Sequence, residues 1–381
     1  LMSTLKVTNI ESPSGGGVNA KITDINGGQL SNRNLIINGA MQISQRGTSH
    51  SFAHDGTTAG YTLDRMSFVT ANTESFDCTV TQDTDAPDGF AKSWKMTTGT
   101  AEASIDADDL VYVQTLLEAQ NLQQLDYGAA GAKTITLSFY VKSSVSGTFG
   151  VTLYQADAVR NRTSTYTINA TNTWERKTIT FTGDTSGTIN DDNGTGLNVA
   201  WNLASGSNWD TIDSTAWGAY VTGRWAFGHA QDGVITTASA TWQITGIQIE
   251  VGDVATTFEH RSAGDELAKC QRYYYKAIAD TGDTFCNGYN QSTRYTRNIL
   301  HFPVTMRAAP TALEQTGTAA NYRILHGTTQ TACSGVPVFL SATTNTGEVQ
   351  ADTGSGLTAG QGNALESNSN GTYLAFAAEL V

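Results

Sequence analysis

The sequence predicts a mostly β protein: a jelly-roll β-sandwich, then one short linking helix, then a second β-rich, sandwich-like C-terminal domain. Three observations favour this fold class. Apolar and polar residues alternate in many short runs, glycine is frequent (38 of 381 residues), and charged residues make up only 15% of the chain, against about a quarter in an average domain. Such alternation is typical of strands with one buried and one solvated face, and glycine supplies the turns between them.

The first element is an N-terminal arm, residues 1–32. Two alternating apolar runs flank a serine–glycine turn; their apolar residues include Leu5, Val7, Ile10, Val18 and Ile22. Two strands of this size cannot bury enough apolar surface to fold alone. The arm is therefore predicted to dock, either on another protein or on its own chain.

Residues 33–262 form the predicted jelly-roll domain. Together with weaker runs, the clear alternations predict about eight or nine strands, as a two-sheet sandwich requires. Only residues 119–126 have a helical pattern in this stretch. The clear alternations lie at 76–80, 135–141, 149–153 and 197–203.

The last strand of this domain begins at Trp242 and contains a change of parity. Trp242 and Ile244 share one face, whereas Ile247 and Ile249 fall on the other. A β-bulge at Gly246 would return both pairs to the core.

A linking helix is predicted over 263–276. Ser262, with Asp265 three residues later, has the form of a capping box. The tyrosine run 273–275 is predicted to lie on this helix and to pack between the two β-domains.

Residues 277–381 form the predicted distal β-rich domain. Residues 343–372 are rich in Gly, Ser, Asn and Thr and are predicted to be long loops. The strands of this domain are predicted at 295–302, 322–326, 336–341 and 373–380.

Two groups of motifs, in a fixed order, carry a resemblance to a known family. The first comprises residues 34–39 (Asn-Leu-Ile-Ile-Asn-Gly), 45–47 (Gln-Arg-Gly) and 61–65 (Tyr-Thr-Leu-Asp-Arg). The second comprises residues 250–252 (Glu-Val-Gly), 255–259 (Ala-Thr-Thr-Phe-Glu) and 270–274 (Cys-Gln-Arg-Tyr-Tyr). Over about 33–276 the chain resembles the carbohydrate-binding-like jelly-roll domain of phage tail-fibre and receptor-binding virion proteins. Met66 departs from that pattern, because the family usually has an aromatic residue after Asp-Arg.

The resemblance implies a non-enzymatic short tail fibre or receptor-binding protein that adheres to host surface glycan. It also implies a homotrimer, attachment to other phage tail proteins through the arm, and location in the virion tail after assembly in the host cytoplasm. Two alternatives stay open: a structural virion connector or head decoration protein, and a glycan-depolymerising tailspike.

Composition and motifs argue against several other classes. A net charge of −13 provides no basic surface for nucleic acid. No run approaches the length of a membrane span, and membrane insertion is not expected. No common catalytic or nucleotide-binding motif is found, so no catalytic residue and no cofactor is predicted. The four cysteines lie far apart, which favours buried thiols.

Aromatic residues are the candidates for glycan contact, because ring faces stack on sugars. Four tryptophans fall at eight-residue intervals from 201 to 225. The same interval arises from strand spacing, so Trp201 and Trp217 are predicted to be core residues and Trp209 and Trp225 remain open. In the distal domain the predicted contact surface is formed by loops around 280–292, 326–335 and 343–372. The exposed aromatic candidates there are Tyr289, Tyr295 and Tyr322.

Two acidic turns raise the question of calcium, since closely spaced carboxylates can surround this cation. Neither has the full loop of a known calcium motif, and both are interpreted as solvated turns. The weak candidates are Asp83, Asp85 and Asp88 in the first turn and Asp191 and Asp192 in the second.

Overall fold

The computed structural model describes residues 32–53 and 56–380, and these contain 23 strands, two α-helices and short 3-10 turns. The N-terminal strands are β1 (Ser49–Phe52), β2 (Gly56–Tyr61), β3 (Ser67–Thr73), β4 (Cys78–Asp83), β5 (Ser93–Thr98), β6 (Leu110–Glu118), β7 (Ile135–Ser143), β8 (Gly147–Gln155), β9 (Arg160–Ile168), β10 (Glu175–Phe181), β11 (Thr195–Ser205), β12 (Gly218–Ala219) and β13 (Thr241–Val251). The C-terminal strands are β14 (Tyr274–Ala279), β15 (Thr284–Asn290), β16 (Thr296–His301), β17 (Glu314–Gln315), β18 (Tyr322–His326), β19 (Thr329–Ala332), β20 (Gly335–Ala342), β21 (Thr346–Asp352), β22 (Gly362–Ser367) and β23 (Thr372–Ala377). The helices are α1 (Gly233–Thr236) and α2 (Ala263–Gln271).

The first domain is a sandwich of two antiparallel sheets, which confirms the predicted fold class. A six-stranded sheet has the order β1-β4-β5-β13-β7-β10, and a seven-stranded sheet has the order β12-β9-β8-β11-β6-β3-β2. The core lies between them, because side chains of one parity on each strand point inward. Its largest members are fully buried: Trp94, Phe139, Phe149, Trp201 and Trp242.

The predicted bulge in β13 is confirmed. Gly246 has φ +63°, and the pairing of β13 with β7 shifts register between Thr245 and Gln248. Glycine adopts this left-handed conformation without the strain that a Cβ causes. The shift returns Ile247 and Ile249 to the core, where both are fully buried.

The linking helix begins as predicted but ends earlier. Ser262 caps it, since its hydroxyl accepts a hydrogen bond from the Asp265 N–H at 3.1 Å. Instead of reaching residue 276, helix α2 ends at Gln271, and the chain enters β14 at Tyr274. Consecutive aromatic residues favour an extended chain, and β23 provides an antiparallel partner over the whole length of β14.

The second domain also consists of two sheets. A three-stranded sheet (β14-β23-β17) packs on a seven-stranded sheet (β19-β18-β22-β15-β16-β21-β20), and Tyr322, Leu365 and Phe376 lie in the core between them. The prediction of long loops over 343–372 is wrong, because β21 and β22 lie there. The predicted contact loops around 280–292 and 326–335 likewise contain β15 and β19.

Charged and aromatic side chains join the two domains at a junction that we define by Arg65, Glu118, Arg272, Tyr273 and Glu379. Arg65 is 1% exposed and pairs with Glu379. On the other side, the buried Glu118 carboxylate accepts from Arg272 Nη2 at 2.5 Å and from the Tyr273 hydroxyl at 2.6 Å. The two domains are therefore held by buried, directional contacts.

Several of the residues that carry the family resemblance converge on this junction. Asp64 accepts from the Gln45 backbone N–H at 2.6 Å, and the Gln45 side chain donates to the Tyr274 carbonyl at 2.7 Å. The Arg46 guanidinium lies 3.6 Å from the centre of the Tyr274 ring. Arg65 lies 3.7 Å from the centre of the adjacent Tyr273 ring. These motif residues thus build much of the contact between the two domains.

Gly39, in the first motif, provides a stability prediction. A Cβ at this position would lie 2.2 Å from the Ile247 carbonyl oxygen, which is backbone and cannot move aside cheaply. Gly39→Ala is therefore expected to lower the free energy of unfolding by about 1–3 kcal/mol or more in urea denaturation. Gly264→Ala is the matched control, because no atom lies within 4 Å of its Cβ position and alanine favours a helix. Equal midpoints for the two variants would contradict this account of Gly39.

All four cysteines are free and buried, as predicted. Burial raises the pKa of Cys78, Cys286 and Cys333 to about 12 in each case. These thiols are protonated at neutral pH, which makes them poor nucleophiles.

Candidate glycan-binding face

The outer face of the seven-stranded sheet of the first domain carries aromatic and amide side chains. On β6, Val111 and Val113 point into the core, so Tyr112 and Gln114 point outward. By the same alternation Tyr154 on β8 and Asn198 on β11 point outward, next to each other in register. We call this surface the aromatic face; it comprises Tyr112, Gln114, Tyr154 and Asn198 together with Trp209, Tyr220 and Trp225 from the segment after β11.

The rings of the aromatic face pack around Trp225. The centroid of the Trp225 ring lies 5.2 Å from that of Tyr112 and 6.0 Å from those of Tyr154 and Tyr220. Tyr154 and Tyr220 meet edge to face at 5.3 Å. Trp225 is 7% exposed, whereas the three tyrosines are half-buried. Trp225 therefore supports the face, and the tyrosines form its open surface.

Backbone and side-chain hydrogen bonds hold the covering segment in place. Arg224 donates to the Asp213 carbonyl and the Ala216 carbonyl, both at 2.7 Å. The Trp209 indole donates to the Asp108 carbonyl at 2.9 Å, and Trp209 O accepts from Ala226 N at 2.9 Å. The rings are thus positioned before any ligand binds, which limits the ordering cost of binding.

Polar atoms without partners lie beside and beneath the rings. Asn198 donates to Gln114 Oε1 at 3.2 Å. Within residues 32–53 and 56–380, however, Asn198 Oδ1, Asn202 Oδ1 and the Trp225 indole N–H have no hydrogen-bond partner. Buried polar groups are normally paired, so these three atoms, which are closed off from the surface, are exceptions in this part of the domain.

The hydroxyls of Tyr112 and Tyr220 stay protonated in the physiological range. Burial, reinforced by Tyr220, raises the pKa of Tyr112 to about 12. Burial also raises the pKa of Tyr220, and Tyr154 reinforces it. These two hydroxyls can therefore donate as well as accept a hydrogen bond, which suits a sugar hydroxyl.

The structure brings two sequence candidates together and separates the others. Trp209 and Trp225 share the aromatic face, and Tyr112, Tyr154 and Tyr220 were missed. The sequence did contain a signal for Tyr112 and Tyr154. Each occupies a position where an alternating strand places its outward-facing side chains.

The distal tyrosines have different environments. Tyr289 on β15 is 49% exposed, and Tyr295 is half-buried with the Arg294 guanidinium 4.8 Å from its ring centre. The prediction that Tyr322 is exposed is wrong, because Tyr322 is fully buried. Its hydroxyl donates to the Tyr373 carbonyl at 2.7 Å.

The acidic turns are occupied by protein contacts. Asp83 pairs with Lys95 at 2.9 Å, and Asp85 pairs with Lys142 and accepts from the Trp174 indole at 3.0 Å. Asp192 Oδ1 accepts from Gly194 N at 2.8 Å, while Asp88 and Asp191 are exposed. In the part of the chain that the structure describes, no group of three or more His, Cys, Asp or Glu could hold a metal ion.

The predicted attachment residues Leu5, Val7, Ile10, Val18 and Ile22 lie outside the described residues. Among the described helices, none has the length and apolar character to cross a membrane.

Asp109 lies in the loop that supports Trp209, and it provides a pH-dependent prediction. It is 1% exposed, and its Oδ1 has no hydrogen-bond partner in the described chain. Burial, with help from the carboxylate of Glu102, raises the pKa of Asp109 to about 6. Since the folded pKa exceeds the unfolded one, stability falls as the pH rises through the folded value and stays lower above it.

Asp109→Asn is therefore expected to stabilise the protein at about pH 7.5 and to have little effect near pH 4, where Asp109 is protonated in the folded state and only about half ionised in the unfolded state. Urea midpoints at the two pH values measure the difference. Asp77→Asn is the control. Hydrogen bonds from Thr100 lower the pKa of Asp77, so this substitution is expected to destabilise the protein at about pH 7.5 instead of stabilising it. An Asp109→Asn gain that is the same at both pH values would contradict the assignment.

Comparison with known proteins finds distant structural similarity. The chain is similar to the enzymatically active domain of tailspike protein 4 of bacteriophage CBA120 (11% identity, TM-score 0.31), with 57% of this chain and 21% of that chain covered. It is also similar to the family 11 carbohydrate-binding module of Clostridium thermocellum (11% identity, TM-score 0.25; 56% and 91% covered). A third similarity is to the CBM22-1–GH10 modules of xylanase 10B from Clostridium thermocellum (10% identity, TM-score 0.26; 56% and 30% covered).

The chain spans only about a fifth of the length of the tailspike structure. No family model and no curated protein matches the chain. All three TM-scores are below 0.5, so these similarities assign neither a family nor a function.

Proposed function

We propose that this chain is a non-enzymatic phage virion adhesin, a short tail fibre or receptor-binding protein that holds host surface glycan on the aromatic face. The aromatic face itself carries this proposal: Tyr112, Tyr154 and Tyr220 are half-exposed rings next to the half-buried amide side chain of Asn198. Ring faces stack on the C–H surfaces of sugars, and amides bind their hydroxyls. A glycan-binding site needs a few polar groups placed between aromatic rings, and the aromatic face provides both.

Binding without cleavage follows from the same chemistry. Glycoside hydrolysis uses two carboxyl groups that flank the scissile bond. The side chains that form the aromatic face are aromatic rings and amides, which can hold a sugar but provide neither a general acid nor a nucleophile. The face therefore supports adhesion better than depolymerisation.

The virion part of the proposal is supported by the resemblance of residues 33–276 to phage tail-fibre and receptor-binding proteins. The arm 1–32 then attaches the chain to other tail proteins, and the chain forms a homotrimer. Several copies on one particle raise the effective concentration of sites, so weak individual contacts add up to firm attachment.

Alanine variants of Tyr112 and Tyr154 test the proposal on an array of bacterial surface polysaccharides. Each substitution removes one stacking ring and is expected to weaken binding about tenfold, which corresponds to about 1.4 kcal/mol. Phenylalanine at the same positions keeps the ring and should retain most of the affinity. Tyr289→Ala is the control, since it removes an exposed tyrosine from the other domain.

Three results would contradict the proposal. They are loss of binding in Tyr289→Ala alone, unchanged binding in both aromatic-face variants, and release of reducing sugar from the bound polymer. The last result would favour the depolymerase. Binding to no polysaccharide would favour a structural connector.

A further inference from the structure

A pocket lies on the side of the first domain opposite the aromatic face, on the outer face of the six-stranded sheet. Its volume is about 270 Å³. The rings of Phe90, Tyr140, Phe258 and His260 and the polar side chains of Ser138 and Arg176 line it. We call it the Tyr140 pocket.

Five separate segments of the chain build this pocket. Tyr140 on β7 lies directly opposite Arg176 on β10. The bulge at Gly246 lies beside them, and a Cβ there would be 2.7 Å from the Phe90 ring and 3.0 Å from the Tyr140 ring. The residue that shifts the register of β13 thus also allows two aromatic rings to meet over the sheet.

The rings form a group of their own outside the hydrophobic cores of the described chain. The Phe90 centroid lies 5.4 Å from that of Tyr140 and 5.0 Å from that of Phe258. His260 is exposed and packs at 4.9 Å from Phe258. Aromatic rings that line an open pocket, with no part in the core, are typical of a binding site.

The polar groups of the pocket are free to bind a ligand. Ser138 is 2% exposed, yet its hydroxyl makes no hydrogen bond to any described residue, and neither does the hydroxyl of Tyr140. Arg176 uses one of its five N–H donors, which Nη2 donates to the Thr256 carbonyl at 2.6 Å. It pairs with no carboxylate in the part of the chain that the structure describes.

From these contacts we propose that the Tyr140 pocket binds one neutral pyranose ring of a surface glycan. The aromatic rings contact the C–H face of the sugar, and Ser138, Tyr140 and Arg176 bind its hydroxyls. Asp88 also lines the pocket, so a cation and an anion are both present, which favours a neutral sugar over a carboxylate or phosphate. This proposal rests on the proposed glycan-binding function and adds a second subsite on the opposite face of the sandwich.

Fluorine NMR of the full chain labelled with fluorophenylalanine tests the pocket separately from the aromatic face. The probes are methyl α-glucoside, methyl α-galactoside, methyl α-mannoside and N-acetylglucosamine at millimolar concentrations, the range expected for single sugar contacts. Phe90→Leu and Phe258→Leu assign the two resonances. At least one probe is expected to shift both resonances in a saturable way.

Arg176→Ala is expected to raise the apparent Kd for that probe at least tenfold, and Arg176 is exposed, so its replacement leaves the core intact. Tyr112→Ala should leave the shifts unchanged. The proposal is overturned if no probe shifts either resonance, or if the shifts survive Arg176→Ala with the same Kd. Failure of the proposed function instead appears as unchanged polysaccharide binding in the Tyr112 and Tyr154 variants, so the two failures are distinguishable.

Discussion

Arg65→Met is expected to lower the free energy of unfolding by about 3–5 kcal/mol, because it removes one partner of a buried ion pair and leaves the other partly uncompensated. Arg65 pairs with Glu379 and donates to the Leu116 carbonyl at 2.5 Å. Burial opposes the charge of Arg65, but Glu379, Tyr61 and Tyr273 together outweigh burial and raise the pKa of the guanidinium. Arg65 is therefore a cation throughout the working pH range.

Arg297→Met is the matched control for this measurement. Arg297 pairs with Glu348 at 2.9 Å, but both side chains are partly exposed, and such pairs contribute at most about 1 kcal/mol. Urea denaturation of the two variants should therefore give clearly different midpoints. Similar losses in both would show that Arg65 is no more than a surface cation.

Removal of residues 378–381 is expected to destabilise the protein at least as much as Arg65→Met. It is also expected to change how the two domains unfold. Tyr61 donates to the Leu380 carbonyl at 2.8 Å, and Arg307 donates to the carbonyls of Ala378 and Glu379, each at 2.8 Å. Leu380 is 2% exposed and packs with Leu116 and Tyr273. Without this segment the chain loses the two ion pairs of Glu379 with Arg46 and Arg65, these three hydrogen bonds together with the one from Ala378 N to the Tyr273 carbonyl, and a buried leucine.

The truncated chain is expected to unfold in two thermal transitions, one for each hydrophobic core, whereas the intact chain unfolds in one. Calorimetry measures this directly. A chain that ends at Leu380 keeps every contact described above and serves as the control. A single transition at an unchanged temperature in the truncated chain would contradict the role of this segment.

Much of the fold could be predicted from the sequence because buried strands leave a strong pattern. The runs at 135–141 and 197–203 became β7 and β11, and the parity change at Gly246 indicated the bulge. The strands β21 and β22 were missed because glycine and alanine occupy several of their positions, which weakens the alternation. The end of α2 was misplaced because the pairing of β14 with β23 is a tertiary contact that local sequence does not contain.

The candidate site was predictable only in part. Tryptophan spacing selected Trp209 and Trp225, but it could not show that Trp225 lies beneath three tyrosines from other elements. The Tyr140 pocket combines β7, β10, β13 and two loops, and no local pattern joins them. The family motifs gave no help with the aromatic face, because none of their residues lies on it. Phe258 of the second motif group lines the Tyr140 pocket, but the motif itself did not indicate a pocket there.

A structure of the protein with its best-binding array oligosaccharide tests the central claim most directly. We predict a sugar ring in contact with Tyr112 and Tyr154, with carbon atoms within about 4 Å of the rings, and an uncleaved oligosaccharide. An oligosaccharide bound only to the C-terminal domain, or one cleaved between two carboxyl groups, would contradict the account.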